Sequence, residues 1–150
     1  MRKLFFTALF VSACLSGYCQ TTDSSKAVVK EEDYPKVFTK VEKEATFPGG
    51  SEGWSKYLRE NLNANLGNKY IRIKQNERVA QQMIKLQFIV NKDGKVSDVV
   101  ALPNKDNHPK LAAEAVRVIK EGPDWIPAEQ NNRKVTYLAT QYITFQVMRD

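Results

Sequence analysis

The sequence has very few of the residues from which catalytic and metal sites are most often built. It contains two cysteines, Cys14 and Cys19, and one histidine, His108. Both cysteines lie in the first 19 residues, so we expect a folded part without disulfides that depends on its hydrophobic core for stability. A zinc site or a catalytic triad needs several such side chains close together. We therefore predict no metal and no cofactor.

A long apolar run is also missing. The longest spans residues 4–13, about half of the ~20 residues that a membrane-spanning helix needs, and Arg2 and Lys3 precede it. This layout is typical of a secretory signal peptide, and the small residues that follow predict cleavage after Cys19. The alternative is a lipoprotein signal, in which residues 11–14 form a lipobox and Cys14 carries a lipid that tethers the protein to a membrane.

The excess of positive charge is small once the signal peptide is removed. Without Arg2 and Lys3, 21 basic residues stand against 17 acidic ones, so the net charge falls from +6 to +4. We expect an exported protein, periplasmic or associated with the outer membrane, that meets no nucleic acid. The excess of basic residues then favours solubility or attraction to acidic surfaces.

The chain divides into three segments: a signal peptide at 1–19, a flexible polar arm at 20–44, and one domain at 45–150. The arm is charged and has few large apolar residues, so it predicts a tether or a segment that docks late. With 42% hydrophobic and 27% charged residues, the chain can form one packed core.

The domain begins with a predicted turn at Phe47–Gly50 and a helix from Ser51, as N-cap, to Leu62. Four apolar residues share one face of this helix: Trp54, Tyr57, Leu58 and Leu62. Residues 63–82 contain several asparagines and one glycine, which predicts mostly loop. A brief strand-like alternation occurs within them at 70–73.

Strand periodicity is clearest in residues 83–102, which predict a β-hairpin with a tight turn at Asn91–Gly94 and a positive φ at Gly94. Pro109 then suits the first turn of a helix that ends at Gly122 and Pro123. A long last strand follows at 135–148, rich in β-branched and aromatic residues. Its predicted inward residues are Tyr137, Ala139, Ile143, Phe145 and Val147, and its predicted outward residues are Thr140, Tyr142, Thr144 and Gln146.

Residues 47–147 resemble the C-terminal domain of TonB, in the variant common among secreted proteins of the Bacteroidetes. The segments that carry the resemblance are Phe47–Gly50, Phe88–Gly94, Ala115–Ile119, Gly122–Ala128 and Ile143–Val147. Among them, the Pro-x-Trp-x-Pro segment between helix and strand is fairly specific.

The resemblance implies an α+β fold with two helices packed on one face of a three-stranded antiparallel sheet. It also implies recognition: an extended segment of an outer-membrane receptor or a secreted partner pairs with the last strand by strand addition. The residues expected to contact this partner are Tyr137, Thr140, Tyr142, Thr144 and Gln146. Because an open edge can also pair with its own copy, a homodimer is an alternative.

Catalysis has little support in the sequence, and we expect no enzyme. His108 precedes Pro109 and is best interpreted as a helix cap or a loop residue. Glu114 with Glu121, and Asp93 with Asp98, are the pairs of carboxylates that acid-base chemistry on envelope glycans would require. Both pairs are predicted in solvated contexts. We expect Trp54 and Trp125 to belong to the core, and Gly49 with Gly50 to form a turn and no phosphate loop.

Overall fold

The computed structural model describes residues 36–149, so the predicted signal peptide, its cleavage site and most of the arm lie outside the described residues. Helices cover one face of an antiparallel sheet, to which a short parallel strand is added. The elements are β1 (Val37–Phe38), α1 (Gly50–Asn61), α2 (Asn65–Tyr70), β2 (Val79–Val90), β3 (Val96–Ala101), α3 (Pro109–Lys120), β4 (Ala128–Gln130) and β5 (Arg133–Met148). The order of the sheet is β1-β5-β2-β3, and β4 pairs with the beginning of β5. The predicted α+β class is confirmed.

The centre of the sheet is a twelve-residue antiparallel ladder between β2 and β5. It runs without interruption from the pair Val79 and Met148 to the pair Val90 and Tyr137. Alternate side chains point to the helices, as the period of two requires, and these residues form the core. The buried members are Ile84, Leu86, Phe88, Val90, Tyr137, Ala139, Ile143, Phe145 and Val147. The alternation predicted for both strands is confirmed.

The hairpin between β2 and β3 has the predicted tight turn. Gly94 has a φ of 90°, and its N–H donates to Asn91 O at 2.9 Å. The turn is also fixed to the segment after α3, because Trp125 N donates to Gly94 O at 2.8 Å. Strand β2 begins at Val79, four residues before the predicted start of the hairpin, because residues 79–82 pair with the end of β5.

Helix α3 begins and packs as its sequence predicts. Pro109 occupies the first turn, and His108 is the N-cap residue, whose Nδ1 accepts a hydrogen bond from Lys110 N at 3.2 Å. The apolar stripe is buried on the sheet and consists of Leu111, Ala115, Val118 and Ile119. The interpretation of His108 as a cap is therefore confirmed.

Helix α1 is joined to the core mainly through aromatic rings. Phe47 lies with its ring centroid 5.2 Å from that of Trp54, 5.2 Å from that of Tyr57 and 5.7 Å from that of Trp125. The Tyr57 hydroxyl donates to Val118 O at 3.0 Å, which ties α1 to α3. The helix begins at Gly50 with Gly49 as its N-cap residue in a left-handed conformation, so the predicted cap at Ser51 is wrong.

Two parts of the fold differ from the sequence-based prediction. The interval 63–82 was predicted as mostly loop, but it contains α2, which packs through Gly67 against Val147 and Phe145. Residues 71–73 form no strand. The sheet also has two additional short strands, β1 and β4, whose two and three residues give no periodic signal and are strands only because β5 pairs with them.

A buried carboxylate fixes the end of α1 to α3. Glu114, whose side chain is 9% exposed, accepts hydrogen bonds from Arg117 Nη2 at 2.7 Å and from Asn63 N at 2.9 Å. Arg117 also donates to Asn61 O at 2.8 Å. The hydrogen bond from Arg117 is the main cause that lowers the pKa of Glu114 below its ordinary value, against the opposing effect of burial. This cluster holds the carboxyl end of α1 in place.

We predict that Gly94→Ala lowers the free energy of unfolding by more than about 2 kcal/mol. A left-handed φ is unfavourable for alanine, and the new methyl group would lie 2.2 Å from Trp125 O. Gly50→Ala is the matched control, because its φ is 62° but no atom lies within 4 Å of the added group. It should cost only about 1 kcal/mol. Urea denaturation measures both, and equal losses would contradict the steric argument.

We predict that Glu114→Gln destabilises the protein by about 1.5 to 3 kcal/mol at neutral pH. A carboxyl whose pKa is lower in the folded than in the unfolded state stabilises the fold above its ordinary pKa. This stabilisation disappears as the pH falls through the lowered value. The difference between wild type and variant should therefore shrink below about pH 4. Denaturation across this pH range tests it.

Glu60→Gln, on the exposed side of α1, is the control and should change stability by less than about 0.5 kcal/mol. A loss in Glu114→Gln that stayed constant down to low pH would show that the charge of Glu114 is not what stabilises the fold.

Candidate functional site

Strand β5 has a second edge that is paired only at its beginning. Strand β1 pairs with it in parallel at Thr136 and Tyr137 and then leaves the sheet. In residues 36–149 no other strand lies along that edge, so β5 has β2 as its single neighbour from residue 139 to residue 148. We call residues 139–148 the open edge. Ten residues of extended chain correspond to roughly 33 Å.

Two hydrogen bonds establish which main-chain groups point out of the open edge. Arg149 N donates to Arg78 O, and Leu102 N donates to Lys85 O on the other side of β2. Hydrogen-bonded pairs alternate along an antiparallel ladder, so odd-numbered residues of β5 bond to β2. The N–H and C=O groups of the even-numbered residues therefore point away from the sheet. They belong to Thr140, Tyr142, Thr144, Gln146 and Met148.

Four of the five residues predicted to contact a partner coincide with this outward-pointing set: Thr140, Tyr142, Thr144 and Gln146. Their side chains are exposed on the face of the sheet opposite the helices. Tyr137 differs, because its side chain is only 7% exposed and its residue is paired with both β1 and β2. Burial raises the pKa of its hydroxyl. Tyr137 is part of the core at the closed end of the strand, and the structure does not place it on the open edge.

The described part of the arm closes the first end of this edge. After β1, Lys43 and Thr46 form backbone bridges to Glu129 and Ile126, so the arm turns from β5 to the β4 segment. A 2.7 Å ion pair between Lys43 Nζ and Glu129 reinforces this contact, raises the pKa of Lys43 and lowers that of Glu129. The arm thus docks on the domain without covering the open edge.

Helix α2 and the chain after it border the other end. A methyl group added to Gly67 would lie 3.2 Å from the Val147 side chain and 4.0 Å from Gln146 O, so α2 approaches the strand closely there. Beyond it, Arg149 donates to the carbonyl oxygens of residues 73–75. The accessible stretch is therefore widest between Thr140 and Thr144.

On the helix side, two cavities lie beside the open edge. The larger, of about 360 Å³, is bordered by Leu58, Arg59, Leu62 and Phe145. The smaller, of about 220 Å³, lies between Trp54, Trp125 and Gln141. The helical spacing of the apolar residues in α1 predicts a buried face, so this surface is not expected from the sequence. The only signal in the sequence is that apolar face itself, which does not reveal how completely it is covered.

The other candidate residues have ordinary structural contacts. Glu114 and Glu121 both bind Arg117, which lies between them. Glu114 is buried, so the solvated context predicted for it is wrong, because the end of α1 and Arg117 cover it. The Asp93 carboxylate accepts from Lys95 N, and that of Asp98 accepts from Ser97 Oγ, both at 3.2 Å. Each of these carboxylates thus binds a group close to it in the chain.

The predicted turn and core residues also lie where the sequence placed them. Gly49 and Gly50 have φ values of 79° and 62° and form the turn into α1. Trp125 is buried, and Trp54 packs against the core with partial exposure.

Two further observations concern the described residues alone. Within residues 36–149, no three histidine, aspartate or glutamate side chains are grouped as a metal site would require. None of the helices in this range is both long and apolar enough to span a membrane.

Comparison with known families gives one match. The family described as Gram-negative bacterial TonB protein C-terminal matches residues 76–147, which include β2, β3, α3, β4 and nearly all of β5. No curated protein is similar enough to the chain to count as a match. The matched segment contains the whole open edge except its last residue. Residues 76–147 therefore match the TonB C-terminal family, whose domains are protein-interaction modules of the bacterial envelope.

Proposed function

We propose that the open edge receives an extended segment of another envelope protein, which pairs with β5 as an additional strand. The observation that carries this proposal is that main-chain N–H and C=O groups of β5 point outward at alternate residues from Thr140 to Met148. The other edge of β5 is fully paired with β2 over these residues. An unpaired edge is a template for another strand. The partner we favour is a segment of an outer-membrane receptor or of a secreted protein.

The energetics of this contact suit a reversible interaction. Each new backbone hydrogen bond contributes about 0.5 to 1.5 kcal/mol after exchange with water. Ordering a flexible segment offsets part of that gain. Backbone pairing along the open edge alone should then give weak to moderate affinity, and side-chain contacts would provide selectivity.

Export and a link to TonB-dependent transport, which the resemblance implies, are further parts of the proposal. The signal-peptide pattern of residues 1–19 and the family match both favour a location in the periplasm or at the outer membrane. In the alternative processing, a lipid on Cys14 would tether the domain to a membrane through the residues of the arm.

We predict that Thr144→Pro weakens binding of a receptor-derived peptide by about tenfold or more, because proline removes an outward N–H and adds bulk at the edge. The fold should persist, since Thr144 N does not bond to β2. Thr144→Val keeps the N–H and the shape of the side chain, so it should bind as the wild type does. Calorimetric titration with peptides from the periplasmic segments of outer-membrane receptors measures both.

A second measurement uses only the wild type, so its result does not depend on whether Thr144→Pro folds. On addition of a binding peptide, the amide signals of the open edge should shift in the NMR spectrum of the full chain. Shifts confined to the loop at 71–78, with unchanged signals in β5, would overturn strand addition.

Self-association is the competing use of the same edge. Two observations favour it: the edge is open, and the exposed apolar side chains of Met83 and Tyr142 lie on the uncovered face beside it, 54% and 46% exposed. Pairing of two β5 strands would form one continuous sheet.

We predict that sedimentation equilibrium finds a monomer across micromolar concentrations in the absence of peptide. The accessible stretch is widest only between Thr140 and Thr144, because α2 approaches the last residues of the edge, and this stretch is short for the pairing of two β5 strands. A dimer that Thr144→Pro dissociates would contradict the proposal and assign the edge to self-association.

A further inference from the structure

The apolar face of α1 is incompletely covered, and the uncovered part lies beside the open edge. No residue of α1 is buried, whereas five residues of the equally long α3 are. Trp54, Leu58 and Leu62 follow one another at a spacing of four residues and therefore lie in one row. A packed amphipathic helix normally buries such a row. Here the row borders two cavities that the rest of the described chain leaves unfilled.

The two cavities are in register with β5. Gln141 lines the smaller one together with Trp54, and Phe145 lines the larger one together with Leu62. Four residues of strand span about 13 Å, and the eight residues from Trp54 to Leu62 span about 12 Å of helix. The row on α1 thus runs beside the open edge, with one cavity at each end of this interval.

A strand added at the open edge would point alternate side chains towards these cavities. Residues directly opposite each other in a sheet have their side chains on the same face. Gln141 and Phe145 are odd-numbered and point to the helix side, so the partner residues opposite them would do the same. These two partner residues are four positions apart, whether the added strand is parallel or antiparallel.

The larger cavity also has a positive charge at its border. Arg59 is exposed, and no carboxylate of residues 36–149 lies within salt-bridge distance of it. The other residues that border this cavity are apolar or uncharged. An acidic side chain two positions along the partner strand from the residue that enters this cavity would lie on the same face of the sheet and would complement Arg59.

We propose that α1 selects the partner: an extended segment with two apolar side chains four residues apart, and an acidic residue two positions from the one that enters the larger cavity. This inference rests on the proposed strand addition and names the kind of segment that the same edge accepts. Backbone pairing depends little on the sequence of the partner, so the cavities and Arg59 provide the selectivity.

The probes are synthetic peptides of alternating threonine and valine that carry the two apolar anchors as leucines. A glutamate stands two positions after the second leucine in the peptide for a parallel strand, and two positions before the first leucine in the peptide for an antiparallel strand. Replacing either leucine by alanine should weaken binding by about tenfold, since a leucine side chain fills apolar space that alanine leaves empty. Moving the second leucine by one position points it to the opposite face of the sheet. That peptide should lose as much affinity as the alanine peptide.

Arg59→Glu tests the charge without disturbing the core, because the side chain is exposed. It should weaken the glutamate peptide about fivefold and favour a matching lysine peptide by a similar factor. Lys56→Glu is the matched control: Lys56 is exposed on the same helix but does not border the larger cavity. It should change neither affinity by more than about twofold.

The outcomes separate this inference from the proposed function. If all peptides shift the amide signals of the open edge and bind equally, strand addition stands and selection by α1 is overturned. If the leucine peptide fails to bind while receptor peptides bind at the edge, the inference is likewise overturned. Binding of the leucine peptide that Thr144→Pro does not weaken would place it away from the edge and contradict both.

Discussion

The ladder between β2 and β5 is the interaction on which the rest of the structure depends. Its twelve consecutive pairs bring the two longest strands together and place their alternate side chains under the helices. Because these side chains are the largest part of the core, α1 and α3 can pack only where the ladder presents them. The same ladder pairs only one edge of β5. On the other edge, β1 pairs with only two residues of the strand.

An edge that is open for ten residues requires some protection against uncontrolled pairing. The chain limits it in two ways: the arm occupies the first positions through Val37 and Phe38, and α2 crowds the last ones through Gly67. Between these limits the outward side chains are mostly polar, which disfavours aggregation while leaving the backbone available. The surface combines a sequence-independent element, the backbone, with a sequence-dependent one, the row on α1. That combination is what selective strand addition needs.

Much of the fold could be predicted from hydrophobic periodicity and from the residues that form turns and helix caps. The buried alternation of residues 84–90 and 137–147, the positive φ at Gly94 and the cap at His108 follow from local rules, and each is found in the structure. The four outward residues of the last strand follow from the same alternation, which also predicts the inward side chain of Tyr137. Tyr137 lies outside the open edge because β1 pairs with β5 at that residue. Helix α2 was missed since its six residues carry little apolar pattern, and contacts with Val147 stabilise it.

The sequence by itself determined which faces of the long strands and of α3 are buried, because alternation and helical spacing are properties of the chain's own geometry. Only the tertiary structure decided that the outer edge of β5 stays open beyond Tyr137, since that depends on where a distant arm and α2 come to lie. It also decided that the row on α1 borders cavities and is not fully buried. The physical reason is that main-chain pairing and packing density are set by neighbours far apart in sequence, and no local pattern encodes the absence of a neighbour.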